Sequence, residues 1–277
     1  MTVDPVERGP LHVTGELLAG RRIGAHHHLT LVAPGIAERF RAGTFVALST
    51  GDGRIARRAF WIHRVKHTGG YGATLEVVVE ECGPGTQWLV SQPPGTKVAV
   101  TGPLGRAFSL PKEPVSCVLV GEGYAAAPLF PLAERLRERD CPVTLVVAAP
   151  DESHLLSALE ARRSARAVTV VTGDGSVGQR GSVADVIDDV LVRAGAAVVY
   201  AAGPAATLHA VALAAEHAGA WSQVALERPL TCATGLCHGC VVPVAGEGGH
   251  TRLVRACHEG PVLRGDRVVW DDLGVLS

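Results

Sequence analysis

Residues Thr231–Val262 read TCATGLCHGCVVPVAGEGGHTRLVRACHEGPV and contain Cys232, Cys237, Cys240 and Cys257 in the spacing C-x4-C-x2-C-x16-C. Four thiolates suffice to ligate a [2Fe–2S] cluster, and the first three follow the plant-type spacing. Structural zinc sites, the competing reading, usually draw on two C-x2-C-like pairs. Here the first gap is four residues and the last cysteine stands alone. Ala233, Gly235 and Gly239 keep the loop small-sided, so the backbone can wrap closely and aim N–H groups at the sulfurs. Three cysteines crowded into a glycine-rich loop argue against ordinary core cysteines. His238 and His258 adjoin two of them. A Rieske centre would replace two cysteines by histidines, but four cysteines are already present, so these two rings tune or cover the cluster.

Around that loop the chain is 277 residues long, 47% apolar and 19% charged, with a net charge of −1. The length suits two or three units. The charge gives no general attraction to nucleic acid or to an anionic membrane. No apolar stretch reaches spanning length, and the N-terminal MTVDPVERGP has no apolar core. The expectation is a soluble cytoplasmic protein without a leader. Seven cysteines fit that compartment as metal ligands plus free thiols, with Cys117 as core filler in an apolar strand.

Upstream of the loop, strands and helices alternate. Val115–Val120, Val143–Ala149, Val168–Thr172, Ala197–Ala202 and Val224–Leu226 read as buried strands. Between them Leu129–Arg139, Ser153–Arg163, Ser182–Arg193 and Ala205–His217 read as helices, with Ser153 and Ser182 as N-caps. Such alternation means a parallel sheet covered by helices. The first ~110 residues have a different rhythm, of short strands at Leu11–Leu18, His27–Ala33, Thr44–Ser49, Phe60–Val65, Thr74–Glu80 and Lys97–Thr101. Pro34-Gly35, Gly51-Asp52-Gly53, Gly69-Gly70 and Pro93-Pro94-Gly95 supply the turns. Regular short strands in a unit of this size suggest an antiparallel barrel, interrupted by one helix at Gly85–Ser91. The fold class is therefore α+β multidomain: a β-barrel over 1–111, an α/β unit over 112–226 and a small cluster unit over 227–277.

Barrel, nucleotide-type α/β unit and plant-type loop together resemble the ferredoxin reductase superfamily. More closely they resemble the electron-transfer subunits of two-subunit, NAD-linked dihydroorotate dehydrogenases. The most specific part is Glu227-Arg228-Pro229 leading into Cys232, and Cys257-His258-Glu259-Gly260-Pro261-Val262-Leu263 closing the loop.

The resemblance implies FAD. The family's R-P-x-S motif at a barrel strand end corresponds to Arg58-Ala59-Phe60-Trp61, with Trp61 where the family has serine. A planar guanidinium suits a pyrophosphate, and an aromatic beside it can lie on the flavin ring. Read without the family, the same segment is an ordinary strand with Phe60 or Trp61 in the core. Gly83-Pro84-Gly85-Thr86 corresponds to the family's G-x-G-T turn. A glycine-rich turn opening a helix presents backbone N–H groups to phosphate.

NAD(P) is the third implied ligand, and here the sequence departs from the family. The family turn G-G-G-x-G-x-A-P-L appears as Gly121-Glu122-Gly123-Tyr124-Ala125-Ala126-Ala127-Pro128-Leu129, and its C-G-P as Ala202-Gly203-Pro204. Gly121, Gly123, Gly203 and Pro204 remain as candidate contacts, whereas Glu122 adds a carboxylate where phosphate should approach. Either the site has drifted with binding intact, or it is degenerate. Asp151 follows the second strand, where a ribose-binding acid can sit, but Arg162 and Arg163 lie nearby, so NAD against NADP stays open. His26-His27-His28 open a strand whose alternation sends neighbours to opposite faces, and they read as surface residues.

The function implied is electron transfer. Electrons pass between a nicotinamide nucleotide, FAD and the cluster, to or from a partner flavoprotein that is the catalytic subunit of a hetero-oligomer. No residue of this chain does acid–base work on an organic substrate. Two alternatives are a non-catalytic docking or regulatory subunit with degenerate nucleotide sites, and a stand-alone reductase serving several acceptors.

Overall fold

In the computed structural model, which describes residues 9–51, 56–67, 70 and 72–273, the N-terminal strands close on themselves. They are β1 (Leu11–Ile23), β2 (His26–Val32), β3 (Phe45–Leu48), β4 (Arg58–Lys66) and β5 (Thr74–Glu80), then, after α1 (Pro84–Val90), β6 (Lys97–Leu104). The barrel order is β1-β2-β5-β4-β3-β6, antiparallel throughout. Closure leaves no free edge. Alternate residues point inward, so Leu17, Leu29, Leu31, Leu48, Ile62, Val77 and Val100 fill the interior. The turns expected at Gly51–Gly53 and Gly69–Gly70 lie partly outside the described residues.

The α/β unit follows as β7 (Cys117–Glu122), α2 (Leu129–Arg137), β8 (Val143–Ala149), α3 (Ala158–Ser164), β9 (Ala167–Thr172), β10 (Gln179–Arg180), α4 (Ile187–Ala194), β11 (Val198–Gly203), α5 (Ala205–His217) and β12 (Trp221–Leu226). Its strands are parallel, with order β10-β9-β8-β7-β11-β12. The chain moves outward from β7 to β10 and then returns to lay β11 against β7. That reversal is a topological switch point, where the carboxyl ends of two strands diverge and leave a crevice. Gly121 and Ala202 are register partners there.

The remaining elements are β13 (Val241–Ala245), β14 (Thr251–Arg255), β15 (Val262–Arg264) and α6 (Trp270–Leu273). β13 and β14 form a hairpin of their own. β15 pairs antiparallel with β12 through Ala225↔Val262 and becomes the seventh strand of the larger sheet. The cluster loop is thus anchored at both ends by the same sheet edge.

Two helix starts differ from the sequence reading. Ser153 does not cap a helix running to Arg163. Asp151 does the capping, accepting from the His154 backbone N–H at 3.1 Å over a short 3-10 turn, and α3 begins only at Ala158, after Ser157 takes a left-handed φ of 51°. After Ser182 a 3-10 turn also intervenes, and α4 starts at Ile187. Asp185 reaches back to the Ser182 N–H at 2.7 Å, so the capping chemistry is present one turn early. The histidines need a larger correction. His26 and His28 are buried, at 1% and 5% exposure, because positions i and i+2 of β2 share the covered face.

Candidate cofactor sites

Left-handed backbone at Ala233 (φ 60°), Gly235 (φ 83°) and His238 (φ 56°) bends the Thr231–Cys240 loop back on itself. Two of these are not glycine, so the loop holds a conformation that costs free energy by itself, as functional loops often do. The bend turns backbone donors onto sulfur. Thr234 N–H and Cys237 N–H point at Cys232 Sγ at 3.5 and 3.4 Å, Gly239 N–H at Cys237 Sγ at 3.4 Å, and Gly235 N–H at Cys257 Sγ at 3.1 Å. Cys240 Sγ and Cys257 Sγ are 3.3 Å apart in the buried half of the loop. Burial opposes ionisation of Cys232, but the Cys237 and Thr234 donors outweigh it and draw the thiol down to about 6. The Cys240–Cys257 sulfur pair, and N–H donors aimed at Cys232, Cys237 and Cys257, suit an anionic thiolate-bound cluster.

Arg255 staples this loop. Its backbone N–H and side chain both meet Glu259, at 2.8 Å to Oε2 and 2.5 Å to Oε1, while its Nη1 donates to the Gly235 carbonyl at 2.9 Å. The Arg255 guanidinium beside it holds the Glu259 carboxyl down at about 2. Nothing in the sequence reading marked this pair, whose i, i+4 spacing was its only signal. Cys237 is exposed, and its neighbour Leu236 is 82% exposed.

A cavity of about 610 Å³ lies where the three parts of the chain meet. The barrel contributes Arg58, Phe60 and Trp61, the α/β unit Tyr124, and the lead into the cluster Glu227 to Thr231. That volume suits a cofactor-sized ligand. Phe60 and Trp61 alternate on β4, so Phe60 packs with the barrel interior while Trp61 meets Phe45 edge-on at 6.4 Å between ring centres. Both still reach the cavity wall. Arg58 lies against the start of α1. A Cβ added at Gly85 would sit 3.1 Å from Arg58 Nε, so the glycine cradles the guanidinium. Thr86 spends its hydroxyl on the turn, accepting from Cys82 N–H at 3.0 Å and Gly83 N–H at 3.2 Å. Arg58 and Thr86 therefore line the cavity with the two aromatics, while Gly85 lies behind Arg58 and Gly83 is bonded to Thr86.

The glycines at the switch point sit differently. Gly121 is needed for packing, since a Cβ there would come within 2.5 Å of Ala126 Cβ. Gly123, at φ 57°, opens a 3-10 turn over Gly123–Ala126, and Ala125 is buried. Glu122 leans over β11. A Cβ on Gly203 would be 3.2 Å from Glu122 Cβ, and Thr207, in the first turn of α5, donates its hydroxyl to Glu122 Oε2. Pro204 is exposed beside them. Gly121, Gly203, Pro204 and Glu122 thus converge, with the carboxylate in the crevice. Asp151 is committed locally to Ser153, at 2.7 Å, and to His154. Tyr124 donates to Glu227 and so ties the switch-point turn to the cluster lead. Sequence reasoning assigned neither residue a role, because the contact joins positions far apart in the chain.

Residues 227–269 match the family model of the iron–sulfur cluster binding domain of dihydroorotate dehydrogenase B. A dihydroorotate dehydrogenase B (NAD(+)) electron transfer subunit from Desulforamulus reducens is 32% identical over 88% of this chain and 93% of its own length. A probable one from Methanopyrus kandleri is 33% identical over 71% of each chain. Among solved structures, the NADH-dependent reduced ferredoxin–NADP oxidoreductase, studied for flavin-based electron bifurcation, superposes with a TM-score of 0.82 at 27% identity, covering 94% of this chain and 91% of that one. The ferredoxin reductase of carbazole 1,9a-dioxygenase, with a TM-score of 0.64, 19% identity and coverage of 76% and 67%, shares the fold. The residues gathered at the cavity and the sulfur loop fit these likenesses, and the chain belongs to the family of electron-transfer subunits of dihydroorotate dehydrogenase B, which use FAD and a [2Fe–2S] cluster and work with a catalytic partner subunit.

Proposed function

We propose that this chain relays electrons between a nicotinamide nucleotide and a partner flavoprotein acting on dihydroorotate, in the cytoplasm. The observation that carries the reading is the cavity shared by Arg58 and Trp61 on one wall and Glu227 to Thr231 on another. Thr231 immediately precedes the first cluster cysteine and lines the same cavity as Arg58 and Thr86, so a flavin held by Arg58 and the Gly83–Thr86 turn would lie near the cluster. When bound, FAD converts a two-electron hydride into the single electrons that a [2Fe–2S] cluster takes.

The protein's own groups position and tune. The Arg58 guanidinium offers a planar fork to a pyrophosphate, with Gly85 leaving it room. Trp61, fixed by Phe45, presents a ring at the flavin end. Cys232, Cys237, Cys240 and Cys257 hold the cluster, and N–H donors to three of the sulfurs favour its reduced, more negative state. The exposed edge at Leu236 and Cys237 faces the partner. Gly121, Gly123, Gly203 and Pro204 bound the nicotinamide crevice, narrowed by Glu122. The units are taken as 1–111, 112–226 and 227–277, the last two sharing a sheet edge through β15.

Anaerobically purified protein should yield FAD on acid extraction, with about two irons and two sulfides per chain. Changing Cys237 to Ser should bleach the cluster absorption and stop transfer to the partner. One stoichiometric zinc without sulfide, or no FAD bound even when it is added, would sink the reading.

A further inference from the structure

An iron–sulfur cluster carries electrons and no protons, whereas hydride chemistry moves both. A hydride is two electrons and a proton. When electrons reach oxidised flavin singly from the cluster, one proton must be supplied for the N–H bond of the reduced ring. When they leave by the same route, that N–H bond breaks and the proton needs an acceptor. On the nicotinamide side the hydride carries its own proton, so one exchange per hydride closes the balance. A group in the cavity wall that gives and takes one proton meets that need.

Few side chains there can do it. Arg57, Arg58 and Arg228 line the cavity but keep their protons. Burial and the neighbouring Glu227 push the Tyr124 phenol up, so it stays protonated and donates. Cys82 belongs to the Gly83–Thr86 turn, its N–H bonded to the Thr86 hydroxyl. Two carboxylates remain, Glu80 at the end of β5 and Glu227 just after β12. Glu227 opens the lead that lines the cavity as far as Thr231, beside the first cluster cysteine. Tyr124 donates to its Oε1, which fixes the carboxyl and leaves Oε2 to serve the cavity. The side chain is open to the cavity, yet the walls shield it enough to push its carboxyl above the usual range, and the charge of Glu80 adds to the shift. A carboxyl raised toward the working pH is suited both to give and to take a proton.

We propose that Glu227 is the proton-exchanging group of the FAD-to-cluster relay, a role that rests on that relay being right. Its Oε2 gives a proton to the flavin ring as electrons arrive from the cluster and takes one back as they leave. Tyr124 is its positioning residue. Glu227 is exposed, so between turnovers the proton passes to or from water.

The test uses holoprotein whose FAD and iron contents are measured first. A reduced-minus-oxidised infrared difference spectrum should show the C=O band of a carboxylic acid, shifted in D2O and missing in Glu227→Gln. That variant keeps an acceptor for Tyr124, so FAD and iron contents should stay at wild-type values. In stopped flow, cytochrome c is too large to enter the cavity and draws electrons through the cluster. Flavin reoxidation by it should slow about 10²-fold in Glu227→Gln and recover most of its rate in Glu227→Asp. If Glu227→Gln fails to fold, Tyr124→Phe must shift the band, because it removes the hydrogen bond to Oε1. Loaded Glu227→Gln that keeps both the band and the wild-type rate, or a loss that appears in Glu80→Gln instead, would overturn the proposal and leave the relay intact. Wild-type protein that takes up no FAD would overturn the relay, and this role with it.

Discussion

Arg58 and Gly85 show how little separates a flavin anchor from an ordinary strand residue. Glycine leaves the guanidinium its position, and a methyl group 3.1 Å from Nε would push it aside. Arg58→Ala should weaken FAD binding by ~1.5–3 kcal/mol, the scale of a hydrogen bond to a charged group. Gly85→Ala should weaken it in the same direction while leaving the unfolding midpoint nearly unchanged, since the added atom meets a flexible side chain. Equilibrium FAD titration and denaturant unfolding on both variants check this pair. At the same scale, Glu259 carries a pH signature. Its folded pKa of about 2 lies below the unfolded value of ~4.3. Its stabilisation of the loop is therefore present above ~pH 4.3 and is lost as pH falls toward ~2. Glu259→Gln should lose its cluster faster than the wild type at neutral pH, and the ratio of the two bleaching rates should shrink toward unity on acidification. A ratio independent of pH would remove Glu259 from the staple.

At the scale of elements, the switch-point turn is the part whose sequence and structure need the closest reading together. Its glycines survive for a reason the sequence does not display, because Gly121 makes room for Ala126 and Leu129. A glycine pattern alone therefore overstates how much of the turn serves a ligand. Glu122 is the informative residue. A carboxylate ~4 Å from a phosphate costs about 4 kcal/mol at an effective dielectric near 20, and Thr207 holds this one over Gly203 instead of releasing it to water. Glu122→Gln keeps a partner for Thr207 and removes the charge. Anaerobic NADH titration should show binding about tenfold tighter or more in that variant, a gain of ~1.4 kcal/mol. Flavin reduction at micromolar NADH that is equally fast in both proteins would mean the carboxylate stays clear of the nucleotide. The strands themselves were largely legible: β5 and β8 match their periodic runs residue for residue. What was not legible were the events decided by partners distant in sequence. Asp151 outcompetes Ser153 as a cap because its carboxylate reaches His154. His26 and His28 look polar and exposed until α/β residues cover them, through the His154 carbonyl 3.0 Å from His26 Nε2 and through His63 packed against Phe130. An iron–sulfur domain was readable because the cysteine spacing is a local pattern, whereas Tyr124, Glu227 and the Arg255–Glu259 pair meet only in the folded chain.

The molecule as a whole works as a relay only if the barrel, the sheet and the cluster loop keep a fixed arrangement, since the cavity between them has walls from all three. One small network holds the barrel exit against the sheet. Gln223, buried on β12, accepts from Ser109 N–H at 2.8 Å and donates to the Ser109 carbonyl at 2.8 Å, and Tyr200 on β11 donates to that same carbonyl at 2.9 Å. Ser109 follows Phe108, whose ring meets Tyr200 edge-on at 5.5 Å. The two side chains are not equivalent. Removing the Tyr200 hydroxyl leaves the carbonyl still satisfied by Gln223, so Tyr200→Phe should cost only ~0.5–1.5 kcal/mol of stability. Gln223→Leu removes two hydrogen bonds to the exposed Ser109 and should cost ~1–3 kcal/mol, at ~0.5–1.5 kcal/mol for each bond. Since Ser109 lies between the barrel that holds Arg58 and the sheet that holds the Glu227 lead, Gln223→Leu should also speed FAD release, which Tyr200→Phe should barely alter. Urea unfolding at constant m-value together with the flavin off-rate separates the two effects. If both variants lose flavin at the wild-type rate while Gln223→Leu is destabilised as expected, the network stabilises the sheet but does not set the width of the cavity.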